Sequence, residues 1–171
     1  MGNELYTMTF SKNDRIESIN IEIEEGRTQD CLSIRDRETA LRDLEYKSAF
    51  KPNGHENGPY TITLSIDDNR LVFNTKDSLR NALPILILSL TPYRRLIKDY
   101  FLIVQSYNEA IAGGNPSRIE AIDMGRRGLH NEGAELLQER LNDKIEMDLG
   151  TARCLFTLIC ILHTGKTHIL R

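Results

Sequence analysis

Tryptophan is absent from this 171-residue chain, and cysteine and proline are scarce, at three and five. There is no long hydrophobic run. The two longest, ALPILILSL and LFTLICIL, fall well short of the roughly 20 apolar residues that span a bilayer. The first residues hold no basic segment followed by an apolar stretch, so no secretory signal is expected. Basic charge is not in excess either: 22 Lys and Arg stand against 25 Asp and Glu, a net charge of -3. A dedicated nucleic-acid binder would need a basic surface to meet phosphates, so that class is set aside. Cys31, Cys154 and Cys160 are odd in number and lack metal-ligand spacing. They are expected to be reduced, packed thiols of a cytoplasmic protein. No metal site, cofactor or membrane contact is expected.

Complete catalytic motifs are missing as well. GKT at 165–167 lacks the glycine five residues before Gly165 that a phosphate-binding loop requires. His130-Asn131-Glu132 is half of a zinc-deaminase signature, but the Pro-Cys-x-x-Cys half is absent. No Gly-x-Ser-x-Gly elbow is present to start a serine hydrolase. His163 and His168 belong to no spaced ligand set.

What is present is enough for a core: 40% of the residues are hydrophobic. The length suits one domain over 1–171, with residues 1–15 a flexible leader and 164–171 a flexible tail. In RIESINIEIEE the isoleucines alternate with polar residues, the period of a half-buried strand, and SINIEI reads as a sheet edge. Ser33 and Asp36 resemble a capping pair for a helix over about 33–49, with Ile34, Leu41 and Leu44 as its stripe. The turn formers of residues 51–59 should break that helix. YTITLSI and RLVFNT, joined by residues 67–69, predict a hairpin. LPILILSL is apolar throughout, which predicts a central strand buried on both faces, with Pro84 at its start.

Helices follow. Thr91 and Pro92 read as the cap and first position of one whose face carries Ile97, Phe101, Val104 and Ile111; Gly113-Gly114 stop it. Asn115 and Pro116 open the next, and Asp148 caps the last, whose apolar second half should be the most buried. The fold class that results is α+β: a small antiparallel sheet of about four strands, one helix in the N-terminal half and about three C-terminal helices.

DMGRRGLHNEGAEL, residues 123–136, is the anomaly. On a helical projection Ile119, Ile122, Leu129, Gly133 and Leu137 form the core stripe. Arg126 also projects inward, His130 lies beside the stripe, and Asp123 and Arg127 flank it. Asp123–Arg127 and Arg126–His130 are each four apart and placed to touch. Three glycines add a cost of about 0.5–1 kcal/mol each inside a helix. A charged cluster facing a core must be paired or solvated. Either the cluster is structural, an ion pair that docks the helix, or it is a site. As a site, Arg126 and Arg127, with Arg94 from the basic cluster Arg94, Arg95 and Lys98, would clamp an anion, and His130 would be the catalytic candidate for proton transfer.

The run LSLTPYRRLIKDYF through PSRIEAIDMGRRGLHNEGAELLQERL to DLGTARCLFTLICILH resembles an uncharacterised, mainly alphaproteobacterial protein family of unknown function, over roughly residues 58–163. The resemblance implies a cytoplasmic bacterial protein. It brings no established activity and no catalytic residues.

Two functions follow as expectations. The first is a cytosolic interaction or regulatory protein without catalytic activity, acting through a protein partner or a homo-oligomer, with an apolar helix face exposed. The second is an anion-binding protein or small enzyme that uses Arg126, Arg127 and His130 on a phosphorylated or carboxylated small molecule.

Overall fold

The computed structural model describes residues 9–23 and 31–163. In chain order it contains β1 (Ile16–Ile21), α1 (Cys31–Lys47), β2 (Phe50–Pro52), β3 (Tyr60–Asp67), β4 (Arg70–Lys76), β5 (Leu86–Ser89), α2 (Arg94–Ala112), α3 (Pro116–Leu141), β6 (Ile145–Met147) and α4 (Leu149–His163). The class is α+β, with a four-stranded sheet, one helix in the first half and three in the second.

The sheet order is β1-β3-β4-β5. β3, β4 and β5 are antiparallel, as expected. β1 differs: it lies parallel to β3, because α1 carries the chain back before β3 begins. The hairpin between β3 and β4 turns at Asp68 and Asn69, with φ of 48° and 58°. Two successive left-handed residues match the twist of the flanking strands, and Asp and Asn tolerate them. β1 does form a sheet edge. β5 does not sit centrally: it forms the opposite edge, and Ile85 and Ile87 are 62% and 55% exposed. Helices bury one face of the sheet, through Ile62, Leu64, Leu71, Phe73 and Leu88, so alternate residues of this apolar run face outward. Residues 51–59 do contain a turn, but Phe50–Pro52 first pair with β6 as a small antiparallel ribbon.

Helix α1 spans Cys31–Lys47 among the described residues, so Ser33 and Asp36 lie inside it and are buried rather than capping it. Its stripe runs through Leu32, Ala40 and Leu44, with Ile34 and Leu41 half-buried. A 3-10 turn at Thr91–Tyr93 precedes α2, and the Thr91 hydroxyl accepts from Asn69 Nδ2 at 3.2 Å instead of capping. Ile97 and Val104 are buried on α2 and Phe101 is half-buried, whereas Ile111 is exposed. Gly114, at φ 62°, closes α2. The Asn115 side chain then accepts from the Arg118 amide at 3.2 Å and starts α3, and Asp148 Oδ1 accepts from the Thr151 amide at 2.8 Å at the start of α4. Residues 155–163 of α4 are all buried, and α4 packs against both α1 and α3.

Of the expected leader, residues 1–8 lie outside the described residues. Residues 11–14 form a turn in which the Asp14 carboxylate accepts from the Ser11 amide at 2.7 Å and the Phe50 amide bonds to the Asp14 carbonyl. The expected tail, GKT and His168 also lie outside the described residues.

Candidate functional site

Helix α3 turns its second half toward the core. Leu129, His130, Gly133, Ala134, Leu137 and Leu141 are buried, whereas Ile119 and Ile122 are only half-buried. Gly133 explains the close approach of α4: a Cβ there would lie 2.5 Å from the Phe156 ring. Gly125 and Gly128 have no such neighbour, and open space surrounds both.

Arg126 points inward as projected. Its Nη1 lies 2.6 Å from Asp36 Oδ1 on α1. The Tyr100 hydroxyl of α2 donates to Asp36 Oδ2 at 3.0 Å. Burial, then the Asp36 charge, push the Tyr100 phenol well above its ordinary value, so it keeps that proton. One carboxylate thus ties α1, α2 and α3 together. The expected Asp123–Arg127 contact gives way to an Asp123–Arg126 ion pair at 3.5 Å, and Arg127 is exposed.

His130 is buried between the rings of Tyr100 and Phe156, edge-on to both, with centroids 5.8 and 5.6 Å away. Its Nδ1 lies 3.1 Å from the Thr157 hydroxyl, which donates its own proton to the Arg153 carbonyl at 3.0 Å. The imidazole proton therefore sits on Nδ1, and Nε2 is left as a buried lone pair with no hydrogen-bond partner among the described residues. Burial first, then the charges of Arg126 and Arg153, lower its pKa to about 4. At neutral pH it is uncharged and holds no proton to donate from Nε2.

A cleft of about 540 Å³ opens between α1, α3 and α4, and Arg126, Arg127 and His130 all line it. Arg94 does not; it is exposed at the start of α2, and its neighbour Arg95 pairs with Asp99 and Glu132 on another surface. Five cationic side chains meet three carboxylates in the cleft wall. Asp36 is committed to Arg126, Asp43 lies 3.8 Å from Lys47, and Asp148 caps α4. Arg35 donates to the Tyr107 hydroxyl at 3.4 Å. Arg127 and Arg153 have no carboxylate within ion-pair distance among the described residues. Cys154 shares the wall, but burial raises its thiol to about 11, so it is not a thiolate at neutral pH. Among the described residues no group of three His, Cys, Asp or Glu side chains is placed to hold a metal ion.

Sequence reasoning missed Asp36, Tyr100, Arg153 and Thr157. Two of them carry a signal. Asp36 falls on the same α1 stripe as Leu32, Ala40 and Leu44, and an acid there needs a buried partner. Arg153 is the one Lys or Arg of the largely apolar α4.

These features define a class first: an α+β protein with a charged cleft walled by three helices beside a half-covered sheet. Within that class, residues 13–165 match the uncharacterised protein family UPF0262, and the chain belongs to that family. It is 53% identical over 128 residues to a UPF0262 protein of Rhizobium etli, covering 75% of this chain and 82% of that one. A UPF0262 protein of Agrobacterium fabrum is 52% identical over the same coverage. One from Mesorhizobium japonicum is 47% identical over 158 residues, covering 91% of this chain and 98% of the relative. No solved structure matches the chain.

Proposed function

We propose that this protein is a cytoplasmic, non-catalytic regulatory protein that binds a small phosphorylated or carboxylated molecule in the cleft between α1, α3 and α4. The observation that carries the reading is the pair Arg127 and Arg153. Both line the cleft and neither has a carboxylate partner among the described residues, although the chain as a whole is acidic. Guanidinium groups in a partly enclosed space bind carboxylate and phosphate oxygens through charge-assisted hydrogen bonds. The neutral, buried state of His130 favours binding over proton transfer. Three free cysteines suit a reducing compartment, and among the described residues no helix is long and apolar enough to cross a membrane. A regulatory role through a protein partner is supported by Leu102 and Met124, exposed on α2 and α3.

Thermal shift with inorganic phosphate, pyrophosphate and citrate tests the binding. Arg126→Ala is a poor probe, because it also strands Asp36. Arg127→Ala and Arg153→Ala are the right ones. The melting temperature of the wild type should rise with probe concentration, since a ligand that binds only the folded state stabilises it. Both variants should lose that rise while melting near the wild type without probe. No response to any probe, or responses equal in all three proteins, would rule the reading out.

A further inference from the structure

The two edges of the sheet are finished differently. At β1 the last turn of α1 and the residue after it supply side chains to the edge: Ser48 Oγ accepts from the Ile16 amide at 2.8 Å and Glu45 Oε1 from the Ile19 amide at 3.2 Å. Such cover keeps an edge strand from pairing with another chain. β5 has no equivalent among the described residues. The Leu90 amide donates to the Asn69 carbonyl at 3.0 Å, and Leu88 lies opposite Leu71. Hydrogen-bonding positions alternate along an antiparallel strand. Leu86, Leu88 and Leu90 therefore direct their backbone groups to β4, while Ile85, Ile87 and Ser89 direct theirs outward.

The side chains there are unusual for an exposed edge. Ile85, Ile87 and nearby Leu79 are among the most exposed large apolar residues of the protein. No charged residue occurs between Arg80 and Arg94. No lysine, inward charge or proline lies within the strand, and its only guard against edge pairing is its length of four residues.

We infer that β5 is the surface on which two copies of this chain associate, by antiparallel pairing of β5 with β5 about a two-fold axis. A strand without charge is complementary to itself, since no like charges meet across the pair. One register uses every outward-facing residue: Ile87 opposite Ile87 of the second copy, and Ile85 opposite Ser89 in both directions. The two sheets become continuous, and the isoleucines of both copies cover one another on the exposed face. The pairing is separate from the cleft, so the dimer and the ligand reading stand or fall independently.

Sedimentation velocity on the full chain tests this. The wild type should sediment at twice the 19.6 kDa chain mass. Ile87→Pro should give a monomer with unchanged far-ultraviolet circular dichroism, because it removes an amide that points away from β4. Ile87→Lys should do the same through charge repulsion. In a Cys31→Ser background, Ile87→Cys should form a disulfide-linked dimer with oxidised glutathione, since directly paired residues lie within disulfide reach. Ile85→Cys should cross-link far less. A monomeric wild type overturns the inference. So does a dimer that survives both Ile87→Pro and Ile87→Lys, or cross-linking that is equal at 85 and 87.

Discussion

Arg126 and Asp36 are 90 residues apart in the chain and 2.6 Å apart in the fold. The Asp36 side chain is 8% exposed and that of Arg126 23%. With the Tyr100 hydroxyl on its second oxygen, Asp36 has a partner on each side. The inward arginine of α3 is thus a docking element between helices, and the cleft-lining arginines without a carboxylate partner among the described residues are Arg127, one residue further, and Arg153, across on α4.

Breaking this pair from one side should be costly, because it leaves a buried charge uncompensated. Arg126→Met should lower stability in urea by about 3–5 kcal/mol. The double variant Arg126→Met with Asp36→Leu should recover much of that loss, since no unpaired charge remains. Strictly additive losses in the cycle would show that the two side chains do not act together.

The three glycines of α3 should separate sharply. Gly133→Ala drives a methyl group into the Phe156 ring and should cost about 1–3 kcal/mol. Gly125→Ala enters open space inside a helix and should stabilise by about 0.5–1 kcal/mol. Thermal melts of the two variants decide the matter; similar shifts would contradict the close packing of α3 on α4.

His130 should make stability depend on pH in the mildly acidic range. Its folded pKa of about 4 lies below the ordinary 6.5, so the unfolded chain takes up the proton more readily. The stabilisation is complete above pH 6.5 and is lost as pH falls toward 4, by roughly 3 kcal/mol in all. His130→Gln should remove that part of the slope. An unchanged slope in chemical denaturation between pH 7 and 4.5 would argue against a buried neutral imidazole.

The cysteines should react in two groups. Cys31 is exposed, and a thiol reagent such as dithionitrobenzoate should label it quickly. Cys160 is fully buried, which pushes its thiol well above the ordinary value, and Cys154 is raised to about 11. Cys160 should react only as the fold opens, Cys154, half-buried in the cleft wall and kept as a thiol, should react slowly, and guanidinium should expose all three. Fast labelling of more than one site in the native protein would contradict this packing of α4.

Local chemistry was sufficient for most elements. Asn115 before Pro116, Asp148 before α4, and Asp68-Asn69 between two β-rich runs each carry their own structural signal, since capping and turn geometry involve neighbours a few residues away. The inward placement of Arg126 and the burial of His130 were also legible, because they follow from helical period alone. The rest depended on distant partners. The parallel placement of β1, the edge position of β5 and the β2–β6 ribbon are pairings between segments far apart, and periodicity does not encode a partner. The same holds for the site. That Arg126 lies inward was visible in the sequence; that Asp36 and Tyr100 meet it was not. Which cations lack a carboxylate partner among the described residues could be decided only by the packing of α1, α3 and α4, because a charge's role is set by what the fold brings within a few ångströms of it.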